Sequence, residues 1–156
     1  MNCAGYRIVQ EPLAPTAFDG EGARRYGGRW NSPGRGVVYT AESRALAALE
    51  ILVHLASSRI LREAYRVIPV QFPEELALRV EDKFGLPKDW LEQPAAASTR
   101  RLGDEWFARR LSCVLSVPSA VLTRERNFLL NPLHPDFKLV KIGQPERFGF
   151  DARLTR

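Results

Sequence analysis

The stretch GGRWNSPGRGVVYTAESRALAALEILVH, residues 27–54, decides the fold class. It passes from a Gly/Pro-rich loop into the β-branched and aromatic run RGVVYTA, which predicts a strand. A helix is expected next, with Thr40 or Ser43 available to cap it and Glu42 in its first turn. From Ser43 to about Ser57, Ala45, Ala48, Leu49, Leu52, Leu55 and Ala56 recur at helical spacing and predict the side that faces the core. Glu50 and His54, four residues apart, share the opposite side with Ala47, flanked by Leu46 and Val53. A helix that is apolar nearly all round is a buried one, so a carboxylate embedded in it needs a reason other than solvation.

On the N-terminal side, GYRIVQ alternates like a strand, and residues 11–36 read as a long loop rich in Gly and Pro, a length that is usually functional. On the C-terminal side, YRVIPVQF predicts a strand, and a mixed region follows whose Pro and Gly residues break any long element. DEWFARRLSCVLS predicts a second amphipathic helix with Trp106, Phe107, Leu111 and Val114 toward the core. SVPSAVL reads as a short strand, with Pro118 favouring an edge or bulge. NFLLNPLHPDF reads as a turn-rich connection, FKLVKIG as a final clear strand, and GFDARL as room for one more. Strands spread along the chain with helices inserted between them, and no regular βαβ alternation, predict an α+β fold with a mixed or largely antiparallel sheet. One domain over residues 1–156 is expected, because no repeat, low-complexity segment or linker divides the chain.

Apolar residues make up 45% of the chain and charged residues 26%, an ordinary globular composition. The net charge is +5, and lysine occurs only at Lys83, Lys88, Lys138 and Lys141, so arginine supplies most of the positive charge. Arginine's planar fork suits phosphates and carboxylates, which leaves nucleic acid, a phosphorylated small molecule or an acidic protein as candidate partners. No secretory signal and no apolar run of membrane-spanning length is visible, so a cytoplasmic location is expected. Cys3 and Cys113 have no metal-ligand spacing, and Cys113 sits in an apolar pattern that predicts burial. Neither GxGxxG after a strand nor GxxxxGK[ST] occurs, which removes support for the usual nucleotide-binding folds.

Several polar residues remain to be explained. Arg29 follows a glycine pair that permits close backbone approach or positive φ, and an arginine there can clamp a diphosphate. Tyr39 can stack on an aromatic ring, and Glu50 can stabilise a carbon that becomes positively charged. Taken singly, Glu50 reads as a salt-bridged helix residue and His54 as a structural histidine. Ser119 reads as an ordinary strand hydroxyl, Asn127 and Asn131 as turn residues, and His134 carries no metal-like spacing. The residues point to a site without naming its reaction.

In order along the chain, GGRWNSPGRGVVYTAES, ALAALEILVH, SVPSAV and NFLLNPLHPDF resemble the RES domain, a family of toxins from bacterial toxin–antitoxin pairs named for its Arg, Glu and Ser. The likeness runs from YRIV to FKLV and covers nearly the whole chain. It implies a fold similar to that of ADP-ribosyltransferases, with a cleft that takes NAD as substrate and needs no metal. By position, the family arginine falls on Arg29, the tyrosine on Tyr39, the glutamate on Glu50 and the serine on Ser119. The asparagine falls on Asn127, with Asn131 close behind, and Arg7 matches a second arginine. The resemblance implies that Arg29 and Arg7 hold the diphosphate, Tyr39 stacks on the nicotinamide or its ribose, and Glu50 stabilises the sugar cation. Ser119 and Asn127 would orient the nicotinamide end or the acceptor, which is water, inorganic phosphate or a protein side chain. It also implies an Xre-like helix-turn-helix antitoxin that covers the cleft, without direct nucleic-acid binding by this chain. Two other readings compete: a basic RNA-targeting toxin, and a binding module that senses a nucleotide without turnover.

Overall fold

The computed structural model describes residues 1–55 and 58–155, so Ala56 and the predicted helix end at Ser57 lie outside the described residues. Strand β1 (Asn2–Gln10) leads through a 3-10 turn to the short helix α1 (Glu21–Tyr26), so the predicted loop carries some structure of its own. Strand β2 (Val38–Ala41) and helix α2 (Arg44–His54) follow, then β3 (Tyr65–Pro73), β4 (Ala77–Arg79) and the single-turn helix α3 (Val80–Lys83). Helix α4 (Ala97–Ala108), β5 (Val114–Pro118), β6 (Arg126–Leu130), β7 (Lys141–Ile142) and β8 (Glu146–Phe148) complete the chain.

The strands form one eight-stranded sheet in the order β4-β5-β6-β2-β1-β3-β7, with β8 also pairing β3. Every pairing is antiparallel except that of β4 with β5, so the expected α+β fold with a mixed sheet is the one adopted. One apolar cluster joins Ile8, Ala41 and Val67 of the sheet to Leu46, Ala47 and Leu52 of α2. Another seats Trp30 and Trp106 against Leu115, Val117 and Leu129 of the sheet, which docks α4 and the Gly27–Gly36 loop together. Cys113 is buried as expected, in a third cluster with Val70, Phe72 and Phe128.

Helix α2 begins where its cap dictates: the Ser43 hydroxyl accepts from the Leu46 N–H at 3.0 Å. Glu42 precedes the helix, and its carboxylate accepts from the Arg126 N–H at 2.7 Å, tying the helix start to β6. The helix buries Leu46, Ala47 and Leu52, whereas the predicted core residues Ala45 and Leu55 are exposed. The roll of the helix follows from what its sides meet. Leu46 and Leu52 enter the core, while Ala47, Glu50, Ile51 and His54, spaced three, four and seven apart, line a cleft.

The second predicted helix is displaced toward the N-terminus. The chain leaves α4 at Arg109, Arg110 takes a positive φ of 50°, and Val114 to Pro118 extend as β5 with all five residues buried. A strand buried on both faces carries the same continuous apolar run as a buried helix, and β-branched Val114 and Val117 fit the strand. Trp106 is fully buried as expected, its indole N–H donating to the Ser112 hydroxyl at 2.8 Å. NFLL, expected in a turn, is the heart of β6, paired with β5 on one side and β2 on the other. FKLVKIG is instead a 3-10 turn over Pro135–Leu139 and a two-residue strand, and GFDARL is irregular and 3-10. No described helix is long and apolar enough to cross a membrane.

Candidate active site

The sheet is split at its centre. Strand β1 pairs with β3 over nine residues but with β2 only at Tyr6↔Ala41. Beyond that pair the Arg7 side chain bridges the two strands, its Nη1 donating to the Tyr39 carbonyl at 3.0 Å. The cleft at the split has a volume of about 640 Å³, and Arg7, Arg29, Tyr39, Glu50, His54 and Asn127 are among the residues that line it.

The loop carrying Arg29 is set by three contacts from α4. Thr99 Oγ1 donates to the Arg29 carbonyl at 2.6 Å, and the Asp104 carboxylate accepts from the Ser32 N–H at 2.8 Å. Gly103 lies so close to Trp30 that a Cβ there would come within 1.6 Å of the Trp30 carbonyl oxygen. Inside the loop, the Tyr39 hydroxyl donates to Asn31 Oδ1 at 2.7 Å and accepts from the Trp30 N–H at 3.1 Å. Asn31 Nδ2 points at the carbonyls of Ala23, Ser32 and Arg35, closing the loop on itself. Gly28 is required by this packing, because a Cβ would meet the Tyr39 hydroxyl at 2.7 Å. Burial pushes the Tyr39 phenol well above its ordinary value, so the group stays neutral, and its hydroxyl is committed to the loop. What Tyr39 offers the cleft is its ring.

Glu50 is held by residues of β6 and the β5–β6 turn. Its Oε1 accepts from Ser119 Oγ at 2.8 Å and from Asn127 Nδ2 at 2.7 Å. Asn127 stands in β6 opposite Ala41, and so beside the one pair that still joins β1 to β2. Ser119 follows the last residue of β5 and is fully buried, outside the cleft wall. Two arginines supply the positive charge. Arg29 is half-buried, spends Nη1 on the Trp90 and Glu92 carbonyls, both at 2.9 Å, and is lowered from its ordinary value by desolvation, with Glu50 and Tyr39 acting against that. Arg7 is lowered by burial, which the charge of Asp19 offsets only in part. Its Nε is out of reach of solvent and without a partner, as is Asn127 Oδ1. An arginine stays protonated throughout, so the cleft carries two fixed cations facing one carboxylate.

Six of the seven sequence-predicted site residues thus come together, Ser119 through its bond to Glu50. Asn131 does not join them. It follows the last residue of β6, at the opposite end from Asn127 and about 14 Å along the chain at about 3.4 Å per residue, buried, with Oδ1 accepting from the Leu133 N–H at 3.0 Å. That is the turn role asparagine takes on its own. His134 Nδ1 accepts from the Asp136 N–H at 3.0 Å and is likewise structural. Sequence reasoning passed over Asn31 and Thr99, which act through backbone and tyrosine contacts. The asparagine beside Arg29-Trp30 in GGRWN was the only signal for the first, and nothing local marked the second. No group of three or more His, Cys, Asp or Glu suited to a metal occurs among the described residues.

A cleft with apolar walls, two arginines and a fixed carboxylate suits an anionic ligand with one centre that gains positive charge. The RES domain profile matches residues 5–151. The chain belongs to the RES domain family. A protein named Toxin Res from Photorhabdus laumondii is 37% identical over 152 residues, 97% of this chain and 96% of that protein. The Prs ADP-ribosylating toxin of a Sphingobium species is 35% identical over 160 residues, covering 100% of this chain and 99% of that protein. Among solved structures, the Mycobacterium tuberculosis MbcT–MbcA toxin–antitoxin complex contains a chain that superposes with a TM-score of 0.78 at 20% identity, over 96% of this chain and 85% of that one. That likeness is one of fold. It adds a solved example of the fold to a RES assignment that the sequence relatives already carry.

Proposed function

We propose that this RES domain is the toxin of a toxin–antitoxin pair and consumes NAD by breaking the bond between nicotinamide and ribose. One observation carries the reading: Glu50, held by two donors on one oxygen, in a cleft whose other charged groups are Arg7 and Arg29. The two guanidinium groups match the diphosphate of a dinucleotide, and the net charge of +5 favours its approach. The Tyr39 ring stacks on the nicotinamide or its ribose, and Asn127 orients that end or the acceptor. As nicotinamide leaves with the bonding electron pair, the ribose carbon becomes cationic, and the Glu50 carboxylate stabilises it before the acceptor adds. The carboxylate therefore acts most strongly in the transition state, where it raises turnover rather than ground-state affinity.

Water or inorganic phosphate is the proposed acceptor, with no metal in the reaction. A protein side chain is the second reading, favoured by the full-length relative named an ADP-ribosylating toxin. The proposed partner is an Xre-like antitoxin seated over the cleft, and the proposed location is the cytoplasm. Asn131 is left out of the site. The test is to incubate the protein with NAD, with and without phosphate, and identify products by phosphorus NMR or mass spectrometry. A phosphorylated ADP-ribose formed only with phosphate marks a phosphorylase, and free ADP-ribose marks a hydrolase. Label transferred to protein marks the second reading. NAD bound but intact in every condition would leave a nucleotide-sensing module, and no binding at all would refute the proposal.

A further inference from the structure

The Ser119 hydroxyl has no capacity left for a substrate. A hydroxyl has one proton and two lone pairs. The N–H groups of Val121 and Leu122 donate to its oxygen at 3.0 and 3.1 Å, and its own proton goes to Glu50 Oε1 at 2.8 Å. The residue is fully buried and absent from the cleft wall. Its backbone N–H donates to the Glu125 carbonyl at 2.9 Å, so the same residue closes the β5–β6 turn whose Ala120 and Val121 do line the cleft. Asn127 approaches Oε1 from the neighbouring strand. Both donors fall on one oxygen, and Oε2 takes neither.

We infer that Ser119 is a positioning residue that acts wholly through Glu50, sharing with Asn127 a two-donor cradle that fixes the carboxylate on α2 against the β5–β6 hairpin. This inference rests on the role given to Glu50 above. A carboxylate that must meet developing charge works only where it is held in place, and a misplacement of about 1 Å can cost about a hundredfold in rate. With Asn127 still in position, removal of the serine hydroxyl releases part of that restraint. Ser119→Ala is expected to lower kcat about tenfold while KM for NAD moves less than about twofold. A serine that bound NAD equally in the ground and transition states would show its loss in KM, and one that touched only the transition state would keep its effect without Glu50.

The deciding experiment is a double-mutant cycle of Ser119→Ala with Glu50→Gln, read by release of labelled nicotinamide. In the Glu50→Gln background, Ser119→Ala is expected to change the residual rate less than about twofold, because its route to the reaction is already gone. An undiminished tenfold loss in that background, or a loss carried by KM, overturns the inference. Wild-type turnover by Glu50→Gln overturns the reading of the site beneath it. If loss of the turn prevents Ser119→Ala from folding, Ser119→Cys takes its place in the cycle: its weak S–H donor is expected to give a smaller kcat loss than tenfold that again disappears in the Glu50→Gln background, and a loss that persists there overturns the inference.

Discussion

Replacing Arg7 with methionine should stabilise the free protein while removing its response to the ligand. Among the described residues the Arg7 guanidinium makes one hydrogen bond, to the Tyr39 carbonyl, its Nε has no partner, and Asp19 offsets its burial only in part. Desolvating a lone cation costs several kcal/mol after relaxation. The unsatisfied Nε adds about 1–3 kcal/mol. Methionine fills a similar length of apolar stem without the charge, but orphans the Tyr39 carbonyl, which costs about 1–3 kcal/mol in return. The balance favours the variant by about 1–3 kcal/mol, and for a chain of this size each kcal/mol moves the melting temperature about 2–4 °C. The assay is thermal unfolding with and without NAD or pyrophosphate. Ligand at a hundred times its Kd should stabilise the wild type by about 2.7 kcal/mol and the variant by much less. A variant that melts several degrees below wild type without ligand would refute the account of Arg7 as an incompletely compensated cation. An undiminished shift with NAD would refute its role as an anion receptor.

Gly103→Ala should prevent native folding or cost more than about 3 kcal/mol, because its Cβ would fall 1.6 Å from a backbone oxygen that cannot yield; circular dichroism and denaturant unfolding check this. Tyr39→Phe keeps the ring but leaves Asn31 Oδ1 and the Trp30 N–H without their partner. A loss of about 1–3 kcal/mol is expected, with faster hydrogen exchange in the Gly27–Gly36 loop, and unchanged exchange there would count against the loop network. Burial, aided by Asp136, pushes the Cys113 thiol up to about 11 from its ordinary 9.0. The unfolded chain then releases the proton first as pH rises, so the stability from keeping it neutral is complete below pH 9 and lost through about pH 11. Unfolding free energy should therefore fall over that window in the wild type and fall less in Cys113→Ala, as read by urea titration at several pH values.

The helix and strand of residues 27–54 were legible because local signals agreed there. Ser43 caps α2, VVYT is β-rich, and Glu50 stood out as a carboxylate on an apolar surface. The face of α2 was misjudged for a physical reason. Periodicity separates apolar from polar sides, but a cleft wall and a core are both apolar, and only the neighbouring strands decide which is which. The same limit explains β5, whose buried run cannot be told from a helix until Arg110 is seen to turn the chain. FKLVKIG failed the other way: its strand-like composition yields to Pro135, which starts a 3-10 turn and leaves two residues to pair with β3. Tertiary contacts such as Thr99 to Arg29, 70 residues apart, leave no mark that a single sequence can show.

The hydrogen-bond deficits of the free protein fall at one place. Among the described residues, Arg7 Nε and Asn127 Oδ1 are the buried side-chain nitrogen and oxygen atoms without partners, and both residues line the cleft. Polar side chains buried elsewhere are satisfied: Asn31 has three acceptors for its Nδ2, Thr99 has the Arg29 carbonyl, and the Trp106 indole has Ser112. A fold able to satisfy those groups leaves a donor and an acceptor unpaired in the cleft that holds Glu50. Each unsatisfied group costs about 1–3 kcal/mol in the free state, a cost that a ligand offering an acceptor near Arg7 and a donor near Asn127 removes on binding. The free protein is thus less stable than its backbone permits, and the difference appears as affinity. Substitutions that relieve either deficit with an apolar side chain should raise stability only by giving up part of the site, which places the stability–activity conflict of this fold at the split between β1 and β2.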